Sequence, residues 1–100
     1  SSVPNYGRNN YWLIICKFKN FENKNLNKVK NIIKKFRKKN IEIRPIWKPC
    51  HLQKQFKNSE LFKINNALKL YYNSFCLPSG QNLSKKSIKE IVECLHKFEK

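Results

Sequence analysis

The segment Arg44-Pro45-Ile46-Trp47-Lys48-Pro49-Cys50-His51-Leu52-Gln53 carries two prolines four residues apart, between stretches with ordinary helix and strand patterns. Each proline lacks an N–H donor and restricts the residue before it, so the sequence predicts an extended loop rather than a helix. Side chains on such a stiff loop can be directed towards a ligand. The alternative interpretation is a connector whose Trp and Leu side chains fill the core.

The side chains of this loop include several groups that commonly bind ligands. Arg44 offers a planar fork for phosphate or carboxylate, Lys48 offers a point charge, and Trp47 offers a flat stacking face. His51 can donate, accept or titrate near neutrality, and Gln53 adds an amide. Together these groups favour a phosphorylated sugar or a nucleotide as the ligand.

Before the loop, the sequence predicts a strand, a helix and a second strand. Residues 11–19 are rich in β-branched and aromatic side chains, and the first half of this strand is expected to be buried on both faces. A helical stripe of apolar residues follows: Leu26, Val29, Ile32, Ile33 and Phe36. Asn40 stands where a helix commonly ends in a left-handed residue, and residues 41–43 are predicted to form the second strand.

After the loop, the pattern predicts a short helix over 64–72, a third strand over 75–78, and a last helix with Ser84 as its N-cap. The apolar stripe of this last helix is Ile88, Ile91, Val92 and Leu95, all expected to be buried. The predicted fold class is α+β: a small three-stranded sheet packed with two longer helices and one short helix. Residues 1–100 are expected to form a single domain.

The formal net charge of +16 predicts attraction to polyanions such as nucleic acid, acidic membrane surfaces or diphosphate ligands. Almost all of this charge is Lys rather than Arg, Asp is absent, and Asn, Ile and Phe are abundant. A/T-rich codons would produce the same composition on any tolerant surface, which is the alternative explanation.

The four cysteines, Cys16, Cys50, Cys76 and Cys94, stand far apart without a C-x-x-C pair, so neither a disulfide framework nor a zinc site is expected. Cys50 and His51 could supply two metal ligands, but two adjacent ligands are too few to complete a metal site. Neither a signal peptide nor an apolar run of membrane-spanning length is evident. The expected location is therefore a reducing cytoplasm, without a membrane partner.

Three motifs in this order resemble a known family: Pro4-x-Tyr6-Gly7-Arg8-x-Asn10-x-Trp12-Leu13, then the loop 44–53, then Cys76-Leu77-Pro78-Ser79-Gly80-x-Asn82-Leu83-Ser84. They resemble the C-terminal small domain of pyridoxal-phosphate-dependent nucleotide-sugar aminotransferases of the DegT/DnrJ/EryC group. Within it the resemblance is to the branch that aminates UDP-linked 4-keto-6-deoxy sugars for bacillosamine-type glycans and exopolysaccharide.

This resemblance implies a fold type I aminotransferase that uses pyridoxal phosphate and, as amino donor, glutamate. In that family the Schiff-base lysine and the acidic partner of the pyridine nitrogen belong to a large N-terminal domain. The chain is therefore expected to be a truncated, split or separate piece of the enzyme, inactive alone, whose parent works as a homodimer. A missing large domain or companion chain would be its partner.

The resemblance also places the substrate site, since the small domain closes over the cofactor and contributes to the sugar-nucleotide pocket. The candidate substrate-binding residues are Arg8, Asn10, Trp12, Arg44, Trp47, Lys48, His51 and Gln53. Catalytic residues and a metal are not expected in this chain, and its cofactor contacts stay open. The turn Pro78-Ser79-Gly80 is interpreted as structural.

The sequence departs from the family pattern at Asn9 (usually Ser), Asn40 (usually Gly) and Lys85-Lys86 (usually acidic). These departures are expected to affect the stability of the fold more than ligand binding in the proposed pocket. Two other hypotheses remain: a small basic nucleic-acid-binding protein, although specific nucleic-acid binding is not expected, and an inactive gene remnant.

Overall fold

The computed structural model describes residues 3–19 and 26–98, so the polar turn predicted over 20–25 lies outside the described residues. The described elements are β1 (Ile14–Lys17), α1 (Leu26–Arg37), β2 (Arg44–Pro45), two 3₁₀ turns (Cys50–Leu52 and Lys54–Phe56), α2 (Asn65–Asn73), β3 (Ser74–Leu77) and α3 (Lys85–His96). The predicted α+β class is confirmed, with a small three-stranded sheet, two longer helices and one short helix.

The sheet has the strand order β1-β3-β2, and both outer strands run antiparallel to the central β3. Cys76 of β3 lies opposite Ile15 on one side and opposite Arg44 on the other. Because residues directly opposite each other in an antiparallel pair point to the same face, these three side chains share one face of the sheet. The loop that follows β2 therefore starts beside the middle of the sheet.

The core lies between α1, the sheet and α3. The α1 stripe is confirmed, since Val29, Ile32 and Phe36 are buried, while Leu26 and Ile33 are half-buried. They pack with buried side chains from the rest of the chain: Ile43, Phe75, Ile91 and Cys94. The Phe36 ring is fully buried and stacks on Phe98 with the ring centroids 5.6 Å apart. Aromatic pairs at this spacing add to the stabilisation from burial alone.

The end of α1 confirms the left-handed residue predicted at Asn40, whose φ is 56°. The Asn40 N–H donates to the Arg37 carbonyl at 3.0 Å, and the Ile41 N–H donates to the Phe36 carbonyl at 3.1 Å. This is the hydrogen-bond pattern of a Schellman cap, and the half-buried Ile41 packs against the core as the motif requires. The chain is thereby turned from α1 towards the sheet.

The second strand begins later than predicted, at Arg44 rather than at 41, and it is only two residues long. Residues 41–43 instead complete the helix cap and insert the buried Ile43 into the core. The strand stops at Pro45, which cannot donate to the ladder and is tolerated because β2 is an edge strand.

Two predictions of burial were wrong. β1 is shorter than the strand predicted over 11–19. Its residues Ile14 and Ile15 are 46% and 52% exposed rather than buried. They are exposed because β1 lies at a sheet edge, with a neighbouring strand on one side only. Ile88 and Val92 of α3 are also exposed. α3 meets the core through Ile91, Cys94 and the half-buried Leu95, so its buried stripe is narrower than the sequence pattern suggested.

Candidate functional site

A cleft of about 900 Å³ opens between the end of β3, the start of α3 and the connection from α1 to β2. Its apolar floor includes Cys76, Leu77, Leu83 and Ile91. The same cleft is lined by Trp12, Arg44 and Trp47. Trp12 belongs to the N-terminal arm (residues 3–13, before β1), and the other two belong to the proline-containing segment 44–53. Three of the predicted substrate-binding residues are therefore brought together.

Trp12 and Trp47 form an exposed aromatic pair in this cleft. Their ring centroids are 6.2 Å apart with the planes tilted by 44°, and the residues are 70% and 65% exposed. The alternative in which Trp47 fills the core is therefore wrong. Since each ring leaves much of its surface open, each offers a flat stacking face to a base or to the apolar face of a sugar.

The backbone of Trp12 is held by side chains at both of its polar groups. Its N–H donates to the Asn10 Oδ1 at 3.1 Å, and its carbonyl accepts from the Ser79 hydroxyl at 2.6 Å. One residue earlier, the Tyr11 N–H donates to the Asn9 Oδ1 at 2.8 Å, and Tyr11 has a positive φ of 51°. Asn10, predicted to contact substrate, thus uses its side-chain oxygen to shape the arm.

Arg44 is paired with Glu42, a residue that the sequence reasoning missed. The Arg44 Nε and Nη2 both donate to the Glu42 Oε1, at 2.9 and 2.6 Å. Both side chains are exposed, and an exposed ion pair contributes only ~0–1 kcal/mol, so an anionic ligand could compete for the guanidinium. The alternation of inward Ile41 and Ile43 could have revealed that positions 42 and 44 share one side.

Three other predicted contacts of the segment, Lys48, His51 and Gln53, do not line the cleft. The Gln53 Nε2 donates to the Lys48 carbonyl at 2.9 Å, and the Gln53 Oε1 accepts from the Gln55 Nε2 at 2.9 Å. Gln53 therefore braces the loop in this structure. His51 is half-buried, and its Nε2 is buried without a hydrogen-bond partner among the described residues.

The prediction of an extended segment holds only up to Pro49, because a 3₁₀ turn occupies Cys50–Leu52. Pro49 precedes the turn with φ −53°, and the Gln53 N–H donates to the Cys50 carbonyl at 2.8 Å. A proline restricts the residue before it and leaves the following residues free to turn. Lys48 and Arg8 are exposed and lie outside the set that lines the cleft.

Several cleft residues were missed as functional candidates. The polar ones, beyond Glu42, are Lys39, Asn40, Ser79, Asn82, Ser87 and Glu90. Ser79 and Asn82 belong to the motif that starts at Cys76, and only the turn Pro78-Ser79-Gly80 within it is interpreted as structural from the sequence. Burial raises the pKa of the Cys76 thiol, so this floor residue is protonated near neutrality and is a poor nucleophile.

The described residues contain neither a metal-binding cluster nor a helix that could span a membrane. Within 3–19 and 26–98, the His, Cys and Glu side chains form no cluster of three or more that could hold a metal ion. In the same part of the chain, none of the helices has the length and apolar character needed to cross a membrane.

A model of the DegT/DnrJ/EryC1/StrS aminotransferase family matches residues 3–96 of the chain. The chain belongs to this family. The resemblance drawn from the three motifs is thereby confirmed at the level of the family.

Two relatives in the DegT/DnrJ/EryC1/StrS family show how much of such a protein the chain represents. It is similar to the "Putative pyridoxal phosphate-dependent aminotransferase EpsN" of Bacillus subtilis (strain 168), with 30% identity over 69 residues, covering 65% of this chain and 18% of EpsN. It is also similar in structure to the "Putative sugar aminotransferase Spr1654 from Streptococcus pneumoniae, PMP-form", with a TM-score of 0.71 and 25% identity, covering 86% of this chain and 21% of that one. The chain spans about a fifth of the length of these relatives.

The described residues do not fit a complete site for pyridoxal phosphate. A lysine that forms a Schiff base needs a desolvated setting that lowers its proton affinity, whereas every lysine in the described part of this chain is exposed. Asp is absent from the sequence. The cleft of this chain is therefore better suited to holding a substrate than to holding the cofactor.

Proposed function

We propose that the chain is the C-terminal part of a pyridoxal-phosphate-dependent aminotransferase that transfers an amino group from glutamate to a nucleotide-linked 4-keto-6-deoxy sugar. Membership of the DegT/DnrJ/EryC1/StrS family supports the reaction class. The name of EpsN supports the cofactor, and the name of Spr1654 supports a sugar substrate. The pathway that fits such a product is polysaccharide or glycan biosynthesis in the cytoplasm.

The observation that carries the proposal is the meeting of Trp12, Trp47 and Arg44 at one cleft. A nucleotide sugar carries a flat base, two phosphates and a hydroxylated ring. The indole pair supplies stacking surface, and the guanidinium fork of Arg44 matches phosphate oxygens. In this role the chain binds and orients the substrate and shields it from water.

In the parent enzyme, pyridoxal phosphate would supply the chemistry of amino-group transfer. We propose that protein outside this chain, either a preceding large domain or a companion chain, holds the cofactor, and that the parent enzyme is a homodimer. Arg8, Asn10, Lys48, His51 and Gln53 remain proposed substrate contacts.

Intrinsic fluorescence tests the proposal, because Trp12 and Trp47 are the only two tryptophans of the chain. Titration with a UDP-linked sugar should change the emission saturably, and titration with glutamate should not. Trp12→Phe and Trp47→Phe each leave one reporter and should each weaken binding. A response to glutamate equal to that for the UDP-linked sugar, or none to the UDP-linked sugar, would count against the proposed site.

One observation favours a second candidate, a polyanion-binding surface. The span from α1 to its cap carries seven cationic residues and no acidic one: Lys28, Lys30, Lys34, Lys35, Arg37, Lys38 and Lys39. Retention on nucleic acid should fall by ~0.9 log unit per phosphate contact for each log unit of salt. Tight or sequence-selective binding at physiological salt would favour this candidate, whereas weak and sequence-blind binding is expected of any chain with charge +16.

A further inference from the structure

We propose that Ser79 is a positioning residue that fixes Trp12 beside Trp47 and so sets the spacing of the two stacking faces in the cleft. The functional use of this spacing rests on the proposed function. The geometric claim, that the Ser79 hydroxyl holds the indole pair together, does not depend on any ligand.

Packing alone does not locate these rings. Trp12 and Trp47 are 70% and 65% exposed, so most of each side chain lacks neighbours that could hold it in one place. An exposed indole keeps a defined position only if its backbone is fixed and its partner ring is near. The two ring centroids lie 6.2 Å apart, within the range of favourable aromatic pairs.

Two hydrogen bonds fix the Trp12 backbone, and they differ in reach. The bond to the Asn10 Oδ1 spans two residues and shapes the arm locally. The bond from the Ser79 hydroxyl, at 2.6 Å, spans 67 residues and ties the arm to the turn that follows β3. Of these two bonds, only the second joins Trp12 to a distant part of the cleft.

Ser79 is itself well placed for this task. It follows Pro78, whose ring restricts the backbone, and it is half-buried in the lining of the cleft. The turn continues with the Leu83 N–H donating to the Gly80 carbonyl at 3.2 Å, just before α3. The hydroxyl therefore projects from a constrained turn between β3 and α3, both of which contribute to the core.

Circular dichroism of the chain tests the geometric claim, because two indoles this close give an exciton couplet that depends on their separation and angle. Trp47→Phe removes one chromophore and defines the spectrum without a couplet. Ser79→Ala should lose most of the couplet, whereas Ser79→Thr, which keeps the hydroxyl, should retain it. Ser59→Ala changes an exposed serine outside the cleft and should leave the couplet unchanged.

Thermal unfolding of the same variants separates positioning from a general loss of structure. Ser79→Ala should unfold cooperatively and keep the helical signal of the unaltered chain while the couplet is lost. An unchanged couplet in Ser79→Ala would overturn the proposal. Loss of the couplet in Ser79→Thr as well as in Ser79→Ala would also overturn it, because the hydroxyl would then not be the cause.

Titration with UDP tests the functional part separately. Ser79→Ala should bind UDP about fivefold more weakly, the effect of one neutral hydrogen bond, and Ser79→Thr should restore the affinity. If the unaltered chain does not bind UDP, the proposed function fails, while the couplet still decides the role of Ser79. If UDP binds all variants equally, the functional part of this inference is wrong.

Discussion

Arg44 lies directly opposite Cys76 in the antiparallel pairing of β2 with β3, and both residues line the cleft. The pairing matters because it places a cation beside an apolar floor, at the point where the loop leaves the sheet. Trp47 follows Arg44 closely in the sequence and reaches the same cleft. The pairing with the central strand thus places Arg44 at the candidate site.

Removal of the Arg44 guanidinium should weaken nucleotide binding. We expect Arg44→Ala to bind UDP ~10-fold more weakly, the usual scale for a lost hydrogen bond to a charged group. Glu42→Gln is the matched variant, because it removes the competing carboxylate charge from the same ion pair. Calorimetric titration should show affinity at least as high as that of the unaltered chain for Glu42→Gln. Weaker binding in Glu42→Gln than in Arg44→Ala would contradict the role given to Arg44.

The isolated chain should form no stable covalent adduct with pyridoxal phosphate at a specific lysine. The physical reason is that each described lysine is exposed, so the described part of the chain offers no enclosed setting around an amine. Absorbance spectroscopy after mixing should show free cofactor only. Borohydride trapping followed by peptide mapping provides the control, and stoichiometric trapping at a single lysine would refute the expectation.

The N-cap of α3 should contribute measurably to stability. The Ser84 hydroxyl oxygen accepts from the Ser87 N–H at 3.0 Å, so Ser84→Ala leaves that donor without its cap and should cost ~1 kcal/mol in the free energy of unfolding. Ser87→Ala keeps the backbone N–H and should cost less, although it removes the contact between the two hydroxyls. Urea unfolding measures both, and an equal loss in the two variants would argue against a cap at Ser84.

Stability should fall in alkaline solution through two thiols, the half-buried Cys16 and the buried Cys76. Burial raises the pKa of both Cys16 and Cys76 above the ordinary value of 9.0. The folded state therefore holds these protons more tightly than the unfolded state, so the free energy of unfolding decreases as pH rises above 9.0. Below that pH these thiols add no pH dependence.

Urea unfolding across the alkaline range measures this slope. Cys76→Ala should reduce it, because this variant removes one of the two thiols whose pKa burial raises. A slope that is the same in Cys76→Ala and in the unaltered chain would show that the Cys76 thiol does not contribute.

The features that the sequence predicted well depend on neighbours along the chain. The α1 stripe of Val29, Ile32 and Phe36 follows from helical periodicity, and the left-handed residue at Asn40 follows from the end of that stripe. The N-cap at Ser84 is equally local. Each of these three predictions depends only on residues that are close together in the sequence.

The features that the sequence missed depend on contacts between distant segments. The exposure of Ile15 follows from the edge position of β1, which the strand pattern does not reveal. The bond from Ser79 to Trp12 joins two motifs that were recognised separately but not connected. Gln53 was predicted to face the substrate because of its amide, and Asn10 because of the family resemblance, yet both use their amides within their own loops.

The most direct measurement is an NMR titration of the two indole N–H signals of Trp12 and Trp47 with a UDP-linked sugar. If the cleft is a sugar-nucleotide site, both signals should shift along one saturation curve, and glutamate at the same concentration should shift neither. Unmoved indole signals at saturating UDP-linked sugar would contradict the proposed site.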